Sequence, residues 1–274
     1  MRTNYVKAMN IKDDWAQKGY FRFVDHATGK PTKAFAAGYL FGSTFVEGDT
    51  VYVTGTSSEQ QWTGQRVQIW ASRDLQNFES YTALDLHGFL ICNTSICKAD
   101  DKYVMMFEIH VPRSQAGKRF TARFATSKDL RHWQLTPPEC VYTKDHFSAP
   151  HCLRYLDGWF YNFYVPVVTR NRESTYDTHV VRSRDLQHWQ PSPFNPVLHY
   201  GPADKQIANP DLTADQRQKI ADATNINNSD IDFCEFDGQL IINYSWGDQK
   251  GTEFLAEARY RGTLEQFLSG WFPQ

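Results

Sequence analysis

The stretch Ser183-Arg184-Asp185-Leu186-Gln187-His188-Trp189 decides the fold, because the chain contains two further copies of it. These copies are Ser127-Lys128-Asp129-Leu130-Arg131-His132-Trp133 and Ser72-Arg73-Asp74-Leu75-Gln76-Asn77-Phe78. Their central leucines, Leu75, Leu130 and Leu186, are 55 and 56 residues apart. A constant period of this size indicates repeated supersecondary units that stack or close into a ring.

Each repeat also contains a hairpin signal. Turns of the Asp/Gly type lie between apolar residues at 48–49, 100–101, 157–158 and 237–238, and such turns are the strongest short-range sign of a β-hairpin. Third strands rich in aromatic and β-branched residues are predicted at 67–70, 121–124, 178–181 and 254–258. The Ser-x-Asp-Leu phrase then places an aromatic residue to pack between neighbouring units. Four strands in about 55 residues match a propeller blade.

The repeats predict an all-β, five-bladed β-propeller with four-stranded antiparallel blades, formed as a single domain by residues 1–274. Four blades can be read directly, and the fourth ends in a degraded copy of the phrase at 262–267. The length at this period favours five blades. The N-terminal region, with a predicted strand at 19–24, is expected to supply the remaining blade together with the end of the chain.

One interval is longer than the others. Leu186 and Leu264 are 78 residues apart, and the extra residues contain a helical pattern at 212–223. Thr213 followed by Gln216 is a capping-box signature for the start of this helix. The sequence therefore predicts a short helical insertion near 212–224, in a loop of the kind that carries function on a rigid scaffold.

Composition limits the classes of partner. The net charge of −2 and pI near 6.5 predict no nucleic-acid or anionic-membrane partner, and no apolar run approaches the roughly 20 residues that span a bilayer. The first residues lack the apolar segment of a secretory signal, which predicts a cytoplasmic protein, or a periplasmic or secreted one if a signal peptide has been trimmed. Five cysteines without metal-site spacing are expected to be buried thiols. The oligomeric state is not specified.

Aligning the repeats on their turns brings distant residues to one end of a central axis. The starts of the four inner strands then carry Phe41, Asn93, Pro150 and Asp230, followed two residues later by Ser43, Ser95, Cys152 and Asp232. No Gly-x-Ser-x-Gly, Walker, Gly-x-Gly-x-x-Gly or His-Glu-x-x-His motif occurs, which disfavours serine hydrolases, nucleotide enzymes and zincins.

Four carboxylates are candidate catalytic groups. Asp230 and Asp232 lie two residues apart at the start of an inner strand, where two charges are costly unless they are paired or used; alternatively, they close the insertion as an Asx-type turn. Glu108 follows a strongly apolar strand, and Glu253 follows a hairpin turn. Solvated rim charges are the alternative for both glutamates.

Candidate substrate-binding residues surround the same end of the axis. His151 offers acid/base or ligand-binding chemistry, with a hydrogen-bonded structural histidine as the alternative. Tryptophan faces outside the repeated phrase offer stacking platforms for sugars. The predicted set is Asn93, His151, Asn228, Trp62, Trp246 and His110. No cofactor is expected, and a structural divalent cation in the axis remains an open alternative.

With the repeated phrase, the Asp/Gly-aromatic hairpins and the blade length, residues 36–270 resemble the five-bladed β-propeller glycoside hydrolases. This group comprises family 43, the invertase-like families and the neoagarooligosaccharide hydrolases. The resemblance implies an axial pocket with a carboxylate base or nucleophile, a carboxylic acid and a third acid that tunes it. In the group the first blade supplies an Asp followed by Pro, whereas residues 36–43 here contain no carboxylate, so the chain resembles a divergent member.

We therefore expect a glycoside hydrolase that cleaves a small oligosaccharide or terminal glycoside. Asp230 is expected to act as base or nucleophile, Glu108 or Glu253 as acid, and Asp232 as the tuning carboxylate. The alternatives are a non-catalytic carbohydrate-binding propeller, or a sugar-acid lyase or isomerase that uses His151, with Arg154 in its pocket.

Overall fold

A computed structural model describes residues 2–4, 19–25, 28–207 and 209–273. These residues form an all-β propeller whose blades are antiparallel sheets. From the axis outwards, the first blade consists of Leu40–Glu47, Thr50–Thr56, Arg66–Ser72 and Glu79–Asp85. The second blade consists of Leu90–Ala99, Lys102–Val111 and Thr121–Ser127, with the two short outer strands Gln134–Leu135 and Val141–Tyr142.

The third and fourth blades repeat this order. The third blade consists of His151–Leu156, Trp159–Tyr164, His179–Ser183 and Gln190–Pro191. The fourth consists of Asn227–Phe236, Gln239–Gly247, Glu253–Tyr260 and the N-terminal strand Arg2–Asn4. A hairpin of Val167–Arg170 and Glu173–Asp177 joins the fourth sheet, because Tyr176 and Asp177 pair in parallel with Asn227 and Asn228.

The described residues contain four blades, so the predicted count of five is wrong. Arg2–Asn4 supplies only the outer strand of the fourth blade. In place of the predicted strand at 19–24, the structure has two isolated bridges, Phe21 to Phe35 and Val24 to Pro31. The Phe21 ring packs edge-on against Trp70 of the first blade and fills the space that a Cβ at Gly55 would occupy. This segment therefore covers the first blade.

Helices account for the remaining regular structure. Ala214–Asp222 is the predicted helix, and Thr213 and Gln216 form its capping box. It follows the 3₁₀ turn Pro202–Lys205, so the insertion takes up the length that favoured a fifth blade. Leu264–Gly270 is a helix where the sequence shows the degraded phrase, and Arg113–Ala116 is a single turn. No helix in the described ranges is long and apolar enough to cross a membrane.

The repeated phrase forms the same turn three times. In the third copy, the Ser183 hydroxyl accepts hydrogen bonds from the backbone N–H groups of Asp185 and Leu186, at 3.2 and 2.9 Å. The Asp185 carboxylate accepts two more backbone N–H groups, from Gln187 and His188. These local bonds hold Leu186 at a φ of 63°. The Trp189 ring then stacks on Phe124 of the preceding blade, which confirms its predicted packing role.

The hydrophobic core lies between the blades. Three clusters fill the three interfaces of successive blades, and they include, in chain order, Ile69 with Met105, Phe124 with Leu153, and Phe163 with Phe233. Four of the five cysteines are buried free thiols, but Cys234 is exposed, which corrects the prediction for that residue. It lies on the inner strand of the fourth blade, near the end opposite the candidate site.

Candidate active site

Three inner strands begin with the same irregularity. A β-bulge interrupts the pairing between Leu40 and Ser43, between Cys92 and Thr94, and between Ser229 and Asp232. The residues inside these bulges, Phe41, Asn93 and Asp230, have φ values of 55°, 40° and 53°. Asn and Asp tolerate this left-handed backbone, whereas Phe rarely adopts it. Bulges redirect side chains next to functional sites, and these three redirect theirs towards the axis.

The redirected side chains surround an axial cavity of about 210 Å³. Its lining includes Phe41, Asn93, Pro150 and Asp230, the four residues that the repeat alignment places together, and also Ser43, Ser95, His151, Cys152 and Asp232. The structure therefore brings together four of the ten predicted site residues at the starts of the inner strands, namely Asn93, His151, Asp230 and Asp232. Loops from all four blades lie at this end.

Asp230 is the carboxylate most open to the cavity. Its side chain is exposed within the cavity that the inner strands surround. The Ser229 hydroxyl donates a hydrogen bond to its Oδ2 at 2.6 Å. Burial raises the pKa of Asp230, and the charge of Glu108 raises it further, against hydrogen bonds from Ser229 and Ser245. Such a carboxylate can serve as a base or nucleophile.

Glu253 begins the third strand of the fourth blade, near enough to Asp230 for the aspartate charge to act on it. The Asn227 side-chain amide donates to its Oε2 at 3.0 Å, and the Gln249 backbone N–H donates to its Oε1 at 2.8 Å. Burial raises the pKa of Glu253 to about 7, and the charges of Asp230 and Asp248 add to this rise against those two hydrogen bonds. A carboxyl group that keeps its proton near neutral pH is suited to general acid catalysis.

Glu108 is fully buried and saturated with hydrogen bonds. Its Oε1 accepts from the backbone N–H and the Nδ1 of His151, at 2.8 and 2.9 Å, and its Oε2 accepts from the Asn93 amide at 2.9 Å. The Cys92 thiol lies 3.4 Å from the same Oε2. Glu108 therefore holds Asn93 and His151 in place and has no surface with which to meet a substrate.

His151 is oriented by this contact. The Glu108 carboxylate accepts a hydrogen bond from Nδ1, and this contact fixes the orientation of the ring and of its Nε2. That Nε2 is buried and has no hydrogen-bond partner among the described residues. The imidazole itself has no exposed side-chain surface, so His151 supports the cavity wall.

Asp232 lines the axial cavity but is held by an ion pair. The Arg154 guanidinium donates to its Oδ1, and the Phe233 backbone N–H donates to the same oxygen at 2.8 Å. Arg154 also stacks over the Phe233 ring. Arg154 and Asp232 extend to a second cavity of about 430 Å³ at the opposite end of the axis. Because of the bulge after Ser229, the two carboxylates have different partners: Asp232 binds Arg154, whereas Asp230 binds Ser229.

The predicted binding residues fall into two groups. Trp62 and His110 are partly exposed and pack around Phe120 beside the cavity, with ring centroids 5.3 and 5.5 Å from that ring. Trp246 is fully buried and stacked on Phe254, so it has no face for a sugar. Asn228 is also fully buried and donates to the buried Asp204. The structure thus places Trp246 and Asn228 in the core of the fourth blade and its insertion.

The sequence reasoning missed Asn227 as a partner of Glu253. Asn227 is paired with Gly247, and Gly247 is paired with Glu253, so the three residues lie side by side across the blade. The run of two asparagines before Ser229 was the available signal, but only the register distinguishes Asn227 from Asn228. Among the described residues, no group of three or more His, Cys, Asp or Glu side chains could hold a metal ion.

No known family profile and no curated protein sequence matches the chain. Solved structures do match. A family 117 glycoside hydrolase produced by the marine bacterium Zobellia galactanivorans has a TM-score of 0.55 and 10% identity, over 96% of this chain and 73% of that one. An endo-arabinase from Bacteroides thetaiotaomicron has a TM-score of 0.53 and 12% identity, over 94% of this chain and 79% of that one.

A GH32 β-fructofuranosidase mutant from Bombyx mori, solved in complex with sucrose, has a TM-score of 0.55 and 15% identity over 84% of this chain. The match covers 47% of the enzyme, so this chain spans about half of its length. At these identities the comparisons define the fold. The chain has the β-propeller fold found in glycoside hydrolases, and the resemblance expected from the repeats is confirmed at that level.

Proposed function

We propose that the chain is a glycoside hydrolase that cleaves a small oligosaccharide or a terminal glycoside in the axial cavity. The observation that carries the proposal is the pair of Asp230 and Glu253. Asp230 is open to the cavity, and its charge helps to keep Glu253 protonated up to a pH of about 7. Glycoside hydrolysis needs such a pair, with one carboxyl group ionised and one protonated.

In the proposed mechanism, Glu253 donates its proton to the glycosidic oxygen as the bond to the leaving group breaks. Asp230 stabilises the positive charge that develops on the sugar ring, and it either attacks the anomeric carbon or activates a water molecule. The first course retains the anomeric configuration and the second inverts it. Asn93 uses its amide N–H to bind Glu108, which leaves its carbonyl oxygen to accept a sugar hydroxyl.

The structural neighbours support a carbohydrate substrate. The Bombyx mori enzyme was solved with sucrose, and the other matched proteins are a family 117 glycoside hydrolase and an endo-arabinase. The two alternatives from the sequence have less support. A lyase or isomerase needs His151 to reach the substrate, but its imidazole is buried. A non-catalytic binding propeller has no use for a protonated glutamate beside an exposed aspartate.

The proposal is tested by screening hydrolysis of defined glycosides by the wild-type protein and by the Asp230→Asn and Glu253→Gln variants. We expect turnover of at least one glycoside, and a fall in kcat of about a thousandfold or more for Asp230→Asn, because the charge that stabilises the transition state is removed. Glu253→Gln should lose most activity on substrates with poor leaving groups and keep more on aryl glycosides with good ones.

The matched control is Asp237→Asn. Asp237 lies in the turn at the far end of the same inner strand and has a φ of 49°, which Asn also tolerates. This variant should keep wild-type turnover. Full activity of a folded Asp230→Asn variant would refute the role of Asp230, and the absence of turnover on every glycoside class would refute the proposal.

A further inference from the structure

Two loops of the second blade meet beside the axial cavity. They cover residues 112–120 and 143–149, and both lie at the end of the propeller where the inner strands begin. The Lys118 backbone N–H donates to the Lys144 carbonyl oxygen at 2.9 Å. A Cβ at Gly117 would lie 2.5 Å from the same oxygen, and Gly117 has a φ of 58°. The close approach fixes the two loops relative to each other.

These loops carry a concentration of positive charge. Arg113, Lys118 and Arg119 are exposed and Lys144 is partly exposed, whereas Asp145 is the only carboxylate in the two loops. None of the four cations forms an ion pair with another described residue. The chain as a whole has a net charge of −2. The two loops are therefore positively charged although the chain as a whole is negative. Their cations are available to bind an anionic ligand.

An aromatic surface connects the cations to the cavity. Phe120, at the end of the first loop, contacts the rings of His110 and Trp62, and Trp62 contacts Phe41 with centroids 6.3 Å apart. Phe41 lines the axial cavity itself. Aromatic faces of this kind stack on sugar rings. A saccharide in the cavity can thus extend over this surface towards the two loops.

His110 belongs to the aromatic surface and is also influenced by two of the cations. Its Nδ1 is buried and has no hydrogen-bond partner in the described part of the chain. Burial lowers the pKa of His110, and the positive charges of Arg119 and Arg113 lower it further. Both guanidinium groups are therefore near enough for their charges to act on the imidazole.

We infer that the substrate is an anionic oligosaccharide, whose carboxylate or sulfate group is bound by Arg113, Arg119 and the neighbouring lysines while a sugar ring stacks on the partly exposed Trp62. This inference rests on the proposed glycosidase function and specifies its substrate class. Arginine is suited to the task because its planar guanidinium binds carboxylate and sulfate oxygens in pairs. Uronate and sulfated sugars share this chemistry.

The test measures binding by isothermal titration to the Asp230→Asn variant, which prevents turnover. The probes are matched pairs of oligosaccharides: galacturonate and galactose trimers, glucuronate and glucose trimers, mannuronate and mannose trimers, and a carrageenan tetrasaccharide with its desulfated form. We expect at least one anionic member to bind about tenfold more tightly than its neutral partner at low salt, with the preference falling as salt is added.

A second substitution separates the cations from other effects. Arg113→Gln with Arg119→Gln should abolish the preference, whereas Arg73→Gln should not, because Arg73 lies in a turn at the opposite end of the propeller and is 76% exposed. The uronate and sulfate pairs show which anion is bound. Equal binding of charged and neutral members, an unchanged preference in the double variant, or no binding of any probe would overturn the inference.

The outcomes also separate this inference from the proposed function. Hydrolysis of neutral glycosides by the wild-type protein, with a kcat/KM at least equal to that for the matched anionic substrates, would leave the glycosidase in place and refute the anionic substrate. Preferential binding of an anionic oligosaccharide without hydrolysis by the wild-type protein would support the anionic ligand and refute the proposed glycosidase activity.

Discussion

The side-chain amide of Asn227 donates a hydrogen bond to the carboxyl group of Glu253, with Nδ2 and Oε2 3.0 Å apart. The contact favours the charged form of Glu253, so it limits the rise in pKa that burial and the Asp230 charge produce. Asn227 therefore lowers the pH at which the proposed acid loses its proton.

Asn227→Ala is expected to move the basic limb of the kcat/KM profile to higher pH. Without the amide, the ionised form of Glu253 loses a donor, and the limb should rise above its starting point near 7 by roughly 0.5 to 1 on the pH scale. Asn228→Ala is the matched control, because Asn228 is the neighbouring buried asparagine and binds Asp204 instead. A limb that stays in place, or moves equally in both variants, would contradict this role.

Glu253 should also make folding stability depend on pH. Its pKa rises from about 4.5 to about 7 on folding. The contribution of Glu253 to the free energy of unfolding is therefore fully present below pH 4.5 and is lost as the pH rises through 7. We expect Glu253→Gln to be more stable than wild type by about 1–2 kcal/mol at pH 8.5, after allowance for partial exposure. Urea denaturation at pH 5 and 8.5 measures the difference. The exposed Glu173→Gln should show no such pH-dependent gain.

Glu108→Gln is expected to lower the free energy of unfolding by about 2–4 kcal/mol. The new amide would direct an N–H₂ group at Asn93 or His151, both of which donate to the native carboxylate. Chemical denaturation at pH 7 gives the loss. Because Glu108 has no exposed surface, the basic limb near pH 7 should persist in any residual activity. A loss below about 1 kcal/mol, or a missing limb, would show that Glu108 acts otherwise.

Ser183→Ala tests the repeated turn separately from the site. Ser183 is fully buried and accepts two backbone N–H groups, so its removal should cost about 1–2 kcal/mol of unfolding free energy. The value of kcat/KM should not change, because the turn lies at the end of the propeller away from the cavity. The exposed Ser80→Ala should leave stability within about 0.5 kcal/mol of wild type. A selective loss of activity in Ser183→Ala would argue against a purely structural turn.

The local parts of the fold could be predicted because they depend on neighbouring residues. The Asp/Gly turns take the positive φ values that their residues allow, as at Asp157 and Gly158, and the capping box at Thr213 forms as expected. The number of blades could not be predicted by dividing length by period. The insertion after the third blade uses residues that the period assigns to a blade, and no local pattern distinguishes the two.

Site residues that occupy equivalent positions in the repeats could be predicted from the sequence. Those whose orientation depends on the pairing of neighbouring strands could not. Phe41, Asn93 and Asp230 share a position in their blades, so alignment was sufficient to place them together. Trp246 and Glu253 lie on either side of one hairpin, and which of them faces the core depends on strand pairing. Glu108 could be read as a rim acid, since nothing near it in sequence shows that His151 closes over it.

The three bulges place the position proposed for the reactive carboxylate at equivalent points of three blades. Phe41, Asn93 and Asp230 have the same left-handed backbone at equivalent places around one ring. A bulged residue takes no part in the alternation of its strand, so its side chain can change without altering which face of the blade is buried. Aspartate also adopts this backbone more readily than phenylalanine. A carboxylate could therefore occupy any of these three bulged positions. A chain that lacks an aspartate in the first blade can then present the negative charge from the fourth blade without a change in the fold.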